Sequence, residues 1–147
     1  MSLQSPDSKM SKSDPNQNGT LYITDEPSVL QKKIMSAVTD SDSSVRYDVQ
    51  NKPGVSNLMS IMAAFTQKTY GQIEDEFSGK GYGDFKKAVA EVVIESLAPV
   101  RQSYKDYSSD KAMIEDAIKK GSQAATRRTT KMMAKVYRKV GFLNFEK

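Results

Sequence analysis

Apolar residues recur at helical spacing along most of the chain, and only the opening stretch escapes that rhythm. Residues 1 to 24 mix small and polar side chains between turn-forming runs, Asp14-Pro15-Asn16 and Asn18-Gly19, and the one run with strand character is Thr20 to Thr24. Beyond it the period is close to 3.6. A first helix is expected with Asp25 as its cap, Glu26 and Pro27 in the first turn, and Leu30, Ile34, Ala37 and Val38 on one face, ending near Thr39. The acidic, serine-rich segment from Thr39 to Asp48 reads as a loop. A second helix follows Pro53-Gly54, with Val55, Leu58, Met59, Met62 and Phe65 as its stripe.

A short helical turn from Tyr70 to Phe77 leads into a corner marked by Gly79, Gly81 and Gly83. The pattern then predicts a long helix from about Asp84 to Tyr107, with Phe85, Val89, Val92, Val93, Leu97, Val100 and Tyr104 inward and a bend at Pro99. A last helix, capped by Ser109 or Asp110 and stopped by Gly141, presents Ile114, Ala117, Ile118, Gly121, Ala125, Met132, Val136 and Val140 as a buried seam. Met59, Met62, Met132 and Met133 fit core filler, and Tyr47, Tyr82 and Tyr107 are expected buried, with stacking on unpaired bases as the other use. The fold class expected is all-α, a helical bundle over residues 25–147 preceded by a loop-rich segment over residues 1–24.

Composition removes several chemistries. The 147 residues contain neither cysteine nor histidine, so thiolate catalysis, disulfides, imidazole bases and the commonest metal ligand are all excluded, and no metal site is expected. No stretch approaches a membrane span, and the first residues lack a secretion pattern, which points to the cytoplasm and to no membrane partner. The net charge of +4 is unevenly spread. Residues 1–73 balance at zero, residues 74–118 hold six basic against ten acidic side chains, and residues 119–147 hold nine basic against Glu146 alone. Such a basic end suits phosphates or an acidic protein face.

The opening segment carries the chemistry of a phosphate-handling loop: Lys9, Met10, Ser11, Lys12 and Ser13 place two ammonium groups and two hydroxyls among small residues, without the glycine frame of a Walker loop. Composition alone also allows a solvated tail. The string "KMSKS" at 9–13 is, letter for letter, the second signature of class I aminoacyl-tRNA synthetases, and "KMSKSDPN" resembles its form in the tryptophanyl branch. "KKIMSAVTDS" at 32–41, "VRYD" at 45–48, "NKPGVSNLM" at 51–59, "GKGYGDFK" at 79–86 and "AKVYRKVGF" at 134–142 resemble bacterial members of that branch in the same order.

The resemblance implies a tryptophan–tRNA ligase that uses ATP with Mg2+, acts on tryptophan and tRNA(Trp), and is a homodimer. It implies that Lys9 and Lys12 stabilise charge on the departing pyrophosphate, with Lys12 foremost, while Met10, Ser11 and Ser13 meet ATP. A Rossmann-type catalytic fold and its first signature are missing from this chain. The segment therefore looks like a C-terminal portion: a remnant of the catalytic domain with its loop, then a helical anticodon-binding domain, inactive in isolation. Arg127, Arg128, Lys131 and Lys135 on the last helix are candidates for tRNA phosphates, against the alternative of a solvated face. A stand-alone helical RNA-binding module without catalysis is the competing reading. "GKGYGDFK" reads as a structural corner rather than a phosphate nest, and "NKPGVSN" as a helix-start turn.

Overall fold

Five helices follow one another along the computed structural model, which describes residues 1–141: α1 (Pro27–Met35), α2 (Pro53–Thr66), α3 (Tyr70–Glu76), α4 (Tyr82–Ser109) and α5 (Lys111–Val140). Before α1 the described chain holds only a 3-10 turn, Gln17–Gly19. The helix ends have local causes. Pro27 and Pro53 occupy first-turn positions, where a missing N–H leaves no bond unmade. Thr69 and Gln72 form a reciprocal capping box at the start of α3, with Gln72 N donating to Thr69 Oγ1 and Thr69 N to Gln72 Oε1. Asp110 accepts from Met113 N at 2.9 Å to open α5, and Gly141, at φ 78°, closes it.

The chain divides into two units, residues 1–102 and residues 103 onward, and the division falls inside α4. The first unit holds the core. Leu30 and Ile34 of α1, Val55, Leu58, Met59 and Met62 of α2, Ile73 of α3, and Phe85, Val89 and Val93 of α4 are buried together, joined by Leu3 from the opening segment. Phe77 meets Phe85 edge to face at a centroid separation of 5.1 Å. Gly54 is required where α2 begins, because a Cβ there would stand 2.0 Å from the Val38 carbonyl oxygen. In the second unit, which comprises the end of α4 and α5, no described residue of α5 is buried.

Several expectations are corrected. Thr20 to Thr24 is not a strand: Tyr22 N donates to the Asp25 side chain at 3.1 Å, Asp25 N closes a turn on Tyr22 O at 3.0 Å, and the Thr20 carbonyl is taken by Lys33. These side-chain partners replace a ladder, and no other described segment offers one. Asp25 is thereby engaged, so Glu26 holds the cap position of α1 without a side-chain bond. That helix stops at Met35 rather than Thr39 because Val38 N turns to the Leu3 carbonyl at 2.8 Å. Phe65, Val100 and Tyr104 are exposed, as are Met132 and Met133.

The seam of α5 is uncovered too, with Ile118 65% and Met132 62% exposed. A helical period names the face suited to burial. It does not supply the surface that would bury it. α4 runs on through Pro99, and no described helix is long and apolar enough to cross a membrane.

Candidate functional site

The loop from Gln4 to Asn18 is built as a closed excursion rather than a tail. Leu3 N donates to Gly19 O at 2.9 Å, which brings its two roots together, and Leu3 itself is buried in the core. Ser2 N donates to Ser8 O at 2.7 Å and Thr20 Oγ1 to Ser11 O at 3.2 Å, so the middle of the loop is tied back to both ends. Met10 packs partly buried against the core. On either side of that anchor Lys9, Ser11, Lys12 and Ser13 are exposed. Ser11 and Ser13 pair through their hydroxyls at 3.0 Å, and Asp14 is occupied by Asn16 N at 2.8 Å.

Neither Lys9 nor Lys12 has a hydrogen bond or an ion pair with a described residue. The fold thus brings together all five predicted loop residues, with the hydrophobic one inward and two unneutralised ammonium groups facing solvent. Such a surface suits an oligophosphate: two point charges on flexible stems, two hydroxyls, and no described carboxylate paired with either lysine.

Three buried polar side chains were not singled out by the sequence: Lys33 and Asn57 bond the ends of the opening loop, and Lys52 bonds the 40–44 loop. Lys33 of α1 donates to Thr20 O at 2.9 Å and to Asp25 Oδ2 at 2.6 Å. Asn57 of α2 donates to Ser2 O at 3.3 Å. Lys52, just before α2, is 4% exposed and reaches Asp42 Oδ2 at 2.6 Å, Asp40 Oδ1 at 3.3 Å, Ser44 O at 3.1 Å and Tyr82 Oη at 2.9 Å. Tyr82 Oη also donates to Asp40 Oδ1 at 2.7 Å.

Burial pushes the Lys52 ammonium down, but the bonds to Asp42, Tyr82 and Asp40 outweigh it and hold the group above the ordinary lysine range. Asp42 is correspondingly held below the carboxylate range by Lys52 and Ser44. For Asp40, burial raises and the bonds from Tyr82 and Lys52 lower, with a net depression. This cluster fastens the 40–44 loop to the starts of α2 and α4. It faces none of the loop lysines, and its chemistry is structural.

The four cations predicted on the last helix, Arg127, Arg128, Lys131 and Lys135, are exposed along α5 in the second unit. Positions 127 and 131 are one turn apart, as are 131 and 135, so three of them form one row. Farther up the helix Lys120 pairs with Asp116 at 2.6 Å. At the glycine corner, Lys80 lies 5.0 Å above the Phe77 ring, and Gly79 takes the left-handed φ of 76° that turns the chain. Tyr47 stacks on Tyr70 at 3.8 Å, and Tyr107 is exposed.

An all-helical unit holding this closed lysine loop matches a known family. Residues 1–98 fit the family described as tRNA synthetases class I (W and Y), and the chain belongs to it. The tryptophan–tRNA ligase of Bacillus anthracis is 43% identical over 141 residues, covering 96% of this chain and 43% of that relative. That of Clostridium acetobutylicum is 44% identical over 147 residues, covering 100% and 44%. Among solved structures, the Campylobacter jejuni tryptophanyl-tRNA synthetase complexed with ADP and tryptophan superposes with a TM-score of 0.76 at 25% identity, over 97% of this chain and 44% of that one. The chain therefore spans a little over two-fifths of the length of these relatives.

Proposed function

We propose that this chain supplies two working parts of a tryptophan–tRNA ligase: the loop that acts on ATP during activation of tryptophan, and a helical portion that meets tRNA(Trp). The observation that carries the reading is the presentation of Lys9 and Lys12, exposed and without partners among the described residues, on a loop tied at both roots and bearing the second signature of the family. Adenylate formation is attack by the tryptophan carboxylate on the α-phosphate of ATP with departure of pyrophosphate. No protein nucleophile is required, so placement and charge stabilisation supply the rate. Lys12 neutralises the charge that develops on the leaving group, Lys9 shares it, the Met10 backbone meets the adenine, and Ser11 and Ser13 donate to phosphate oxygens.

The donors on this loop fit ATP, not its metal. Mg2+ needs oxygen ligands, and the described residues contain no cluster of three or more Asp, Glu, His or Cys able to hold it. The cationic row on α5 meets tRNA phosphates, the helices of residues 25–147 act as the anticodon-binding part, and residues 1–24 belong with a Rossmann-type catalytic domain.

The test is ATP–pyrophosphate exchange dependent on tryptophan. The chain alone is expected to give none. A chimera in which it replaces the matching segment of the Clostridium acetobutylicum ligase is expected to restore exchange above the level of the host lacking that segment. Exchange by the chain alone, or a chimera no better than the truncated host, would refute the reading.

A further inference from the structure

Both roots of the lysine loop are held by buried polar side chains that belong to helices. On the trailing side the Lys33 ammonium, 7% exposed, bonds the Thr20 carbonyl and Asp25 and lies 4.8 Å from the centroid of the Tyr22 ring. On the leading side Asn57, itself 8% exposed, donates from Nδ2 to the Ser2 carbonyl. A lysine on the inward face of a helix is an expensive choice, because its charge must be stripped of water and then rebonded, whereas an apolar residue would fill the same space freely. What the lysine supplies instead is direction: it fixes a backbone oxygen at one point relative to α1. Asn57 does the same for α2. Between them the roots stand one hydrogen bond apart, through Leu3 N and Gly19 O.

We propose that Lys33 and Asn57 are positioning residues for the loop, which set where the Lys9 and Lys12 ammonium groups stand over a bound polyphosphate. The inference rests on the function proposed above. Neither residue touches the substrate. Each acts through the loop backbone, so that a shift of α1 or α2 moves the roots and carries the two charges with it.

The chimera with the Clostridium acetobutylicum ligase provides the test. Lys33→Met and Asn57→Leu are expected to lower the rate of adenylate formation by about 10–100-fold, since an ångström of misplacement at a reacting centre costs that much, while KM for tryptophan changes by less than about twofold. Gly19→Ala is the second variant, leaving both side chains intact. Its Cβ would stand 2.5 Å from Ser2 Oγ and displace that hydroxyl from the bonds it accepts from Gln4 N and Ser5 N at the leading root, and it is expected to give the same split.

In a Lys12→Ala background, Lys33→Met is expected to lower the rate further by less than about threefold, because residues acting as a unit are not additive. In this chain outside the chimera, trypsin is expected to cut after Lys9 and Lys12 faster once Lys33 is replaced, with the helical circular dichroism unchanged. A rate unaffected by Lys33→Met, or lowered equally with and without Lys12, would overturn the positioning role while leaving the proposed function standing. A rate indifferent to Lys12→Ala itself would overturn both.

Discussion

The opening loop and α5 both display closely placed cations with little acidic company, yet they are mounted in opposite ways. Lys9 and Lys12 flank a methionine seated against the core, on a loop closed by Leu3 and Gly19 and held from two helices. Arg127, Arg128, Lys131 and Lys135 ride on a helix with no buried residue among those described. A fixed mount suits a pair of charges that must meet a developing charge at one place. An extended row suits a partner whose charges repeat, where each phosphate adds a similar increment and none is decisive. The same residue types thus divide into placed and distributed charge, and the mount decides which.

The sharpest way to break that division is Lys12→Ala in the chimera. If the loop charge is placed, adenylate formation is expected to fall about 10²–10³-fold, the scale seen when one preorganised donor to a developing charge is removed, with tryptophan affinity nearly unchanged. Single-turnover kinetics decides it. A fall below tenfold would mean that the loop contributes general attraction, as a tail would.

Next in size is the fastening of the 40–44 loop, within the same unit as the fixed mount. Lys52→Met removes a buried ammonium from Asp40, whose Oδ2 already lacks a partner. The loss of folding free energy is expected near 3 kcal/mol, the lower end of the cost of breaking a buried pair, because Asp42 remains 57% exposed and keeps much of its water. Its pH dependence has a definite sign. Asp40 and Asp42 titrate below their unfolded value of 3.8, so their stabilisation is complete above that value and is lost as pH falls through the lower folded value. Urea unfolding between pH 2 and 6 should therefore show a shallower acid loss for Lys52→Met than for the parent. An equal slope would mean that the cluster does not hold the loop through its charges.

Part of this contrast was legible in the sequence. The stripes of Leu30 and Ile34, of Val55 to Met62 and of Phe85 to Val93 announced buried faces because each lies on an element that meets the others, and Gly141 announced its own stop. The signature string singled out the loop lysines, and the fold leaves both exposed. Lys33, Asn57 and Lys52 were not, because a lysine or an asparagine carries no mark of burial until the backbone oxygen or carboxylate that it bonds is known. The only trace is position: Lys33 lies between Leu30 and Ile34 on the inward side, with Asp25 two turns before it. The seam of α5 was misread as core for the complementary reason, since its period is as regular as that of α2 and periodicity is blind to what lies opposite.

A smaller effect is expected from the distributed charge. Replacing Arg127, Arg128, Lys131 and Lys135 with glutamine in the chimera should reduce the slope of log affinity for tRNA(Trp) against log salt by roughly 0.7–0.9 for every phosphate that is no longer neutralised, in near-equal steps. Adenylate formation without tRNA should not change. Filter binding across salt concentrations measures this, and a single residue that carries the whole slope would turn the row into a placed site.

The smallest effect separates the two mounts by stability alone. Ile118→Ser deletes a large apolar side chain from the seam of α5, where it is 65% exposed, so little area returns to water on unfolding. The expected change in unfolding free energy is within about 0.5 kcal/mol, as for ordinary surface positions. Helix propensity works weakly in the same range, since serine and isoleucine rank close together inside a helix. Thermal unfolding of the chain, followed beside Ile73→Ala as the control from the core, measures it. A loss for Ile118→Ser as large as that control's would show that the seam is buried in solution, and the row of cations on the same helix would then be as firmly mounted as the loop.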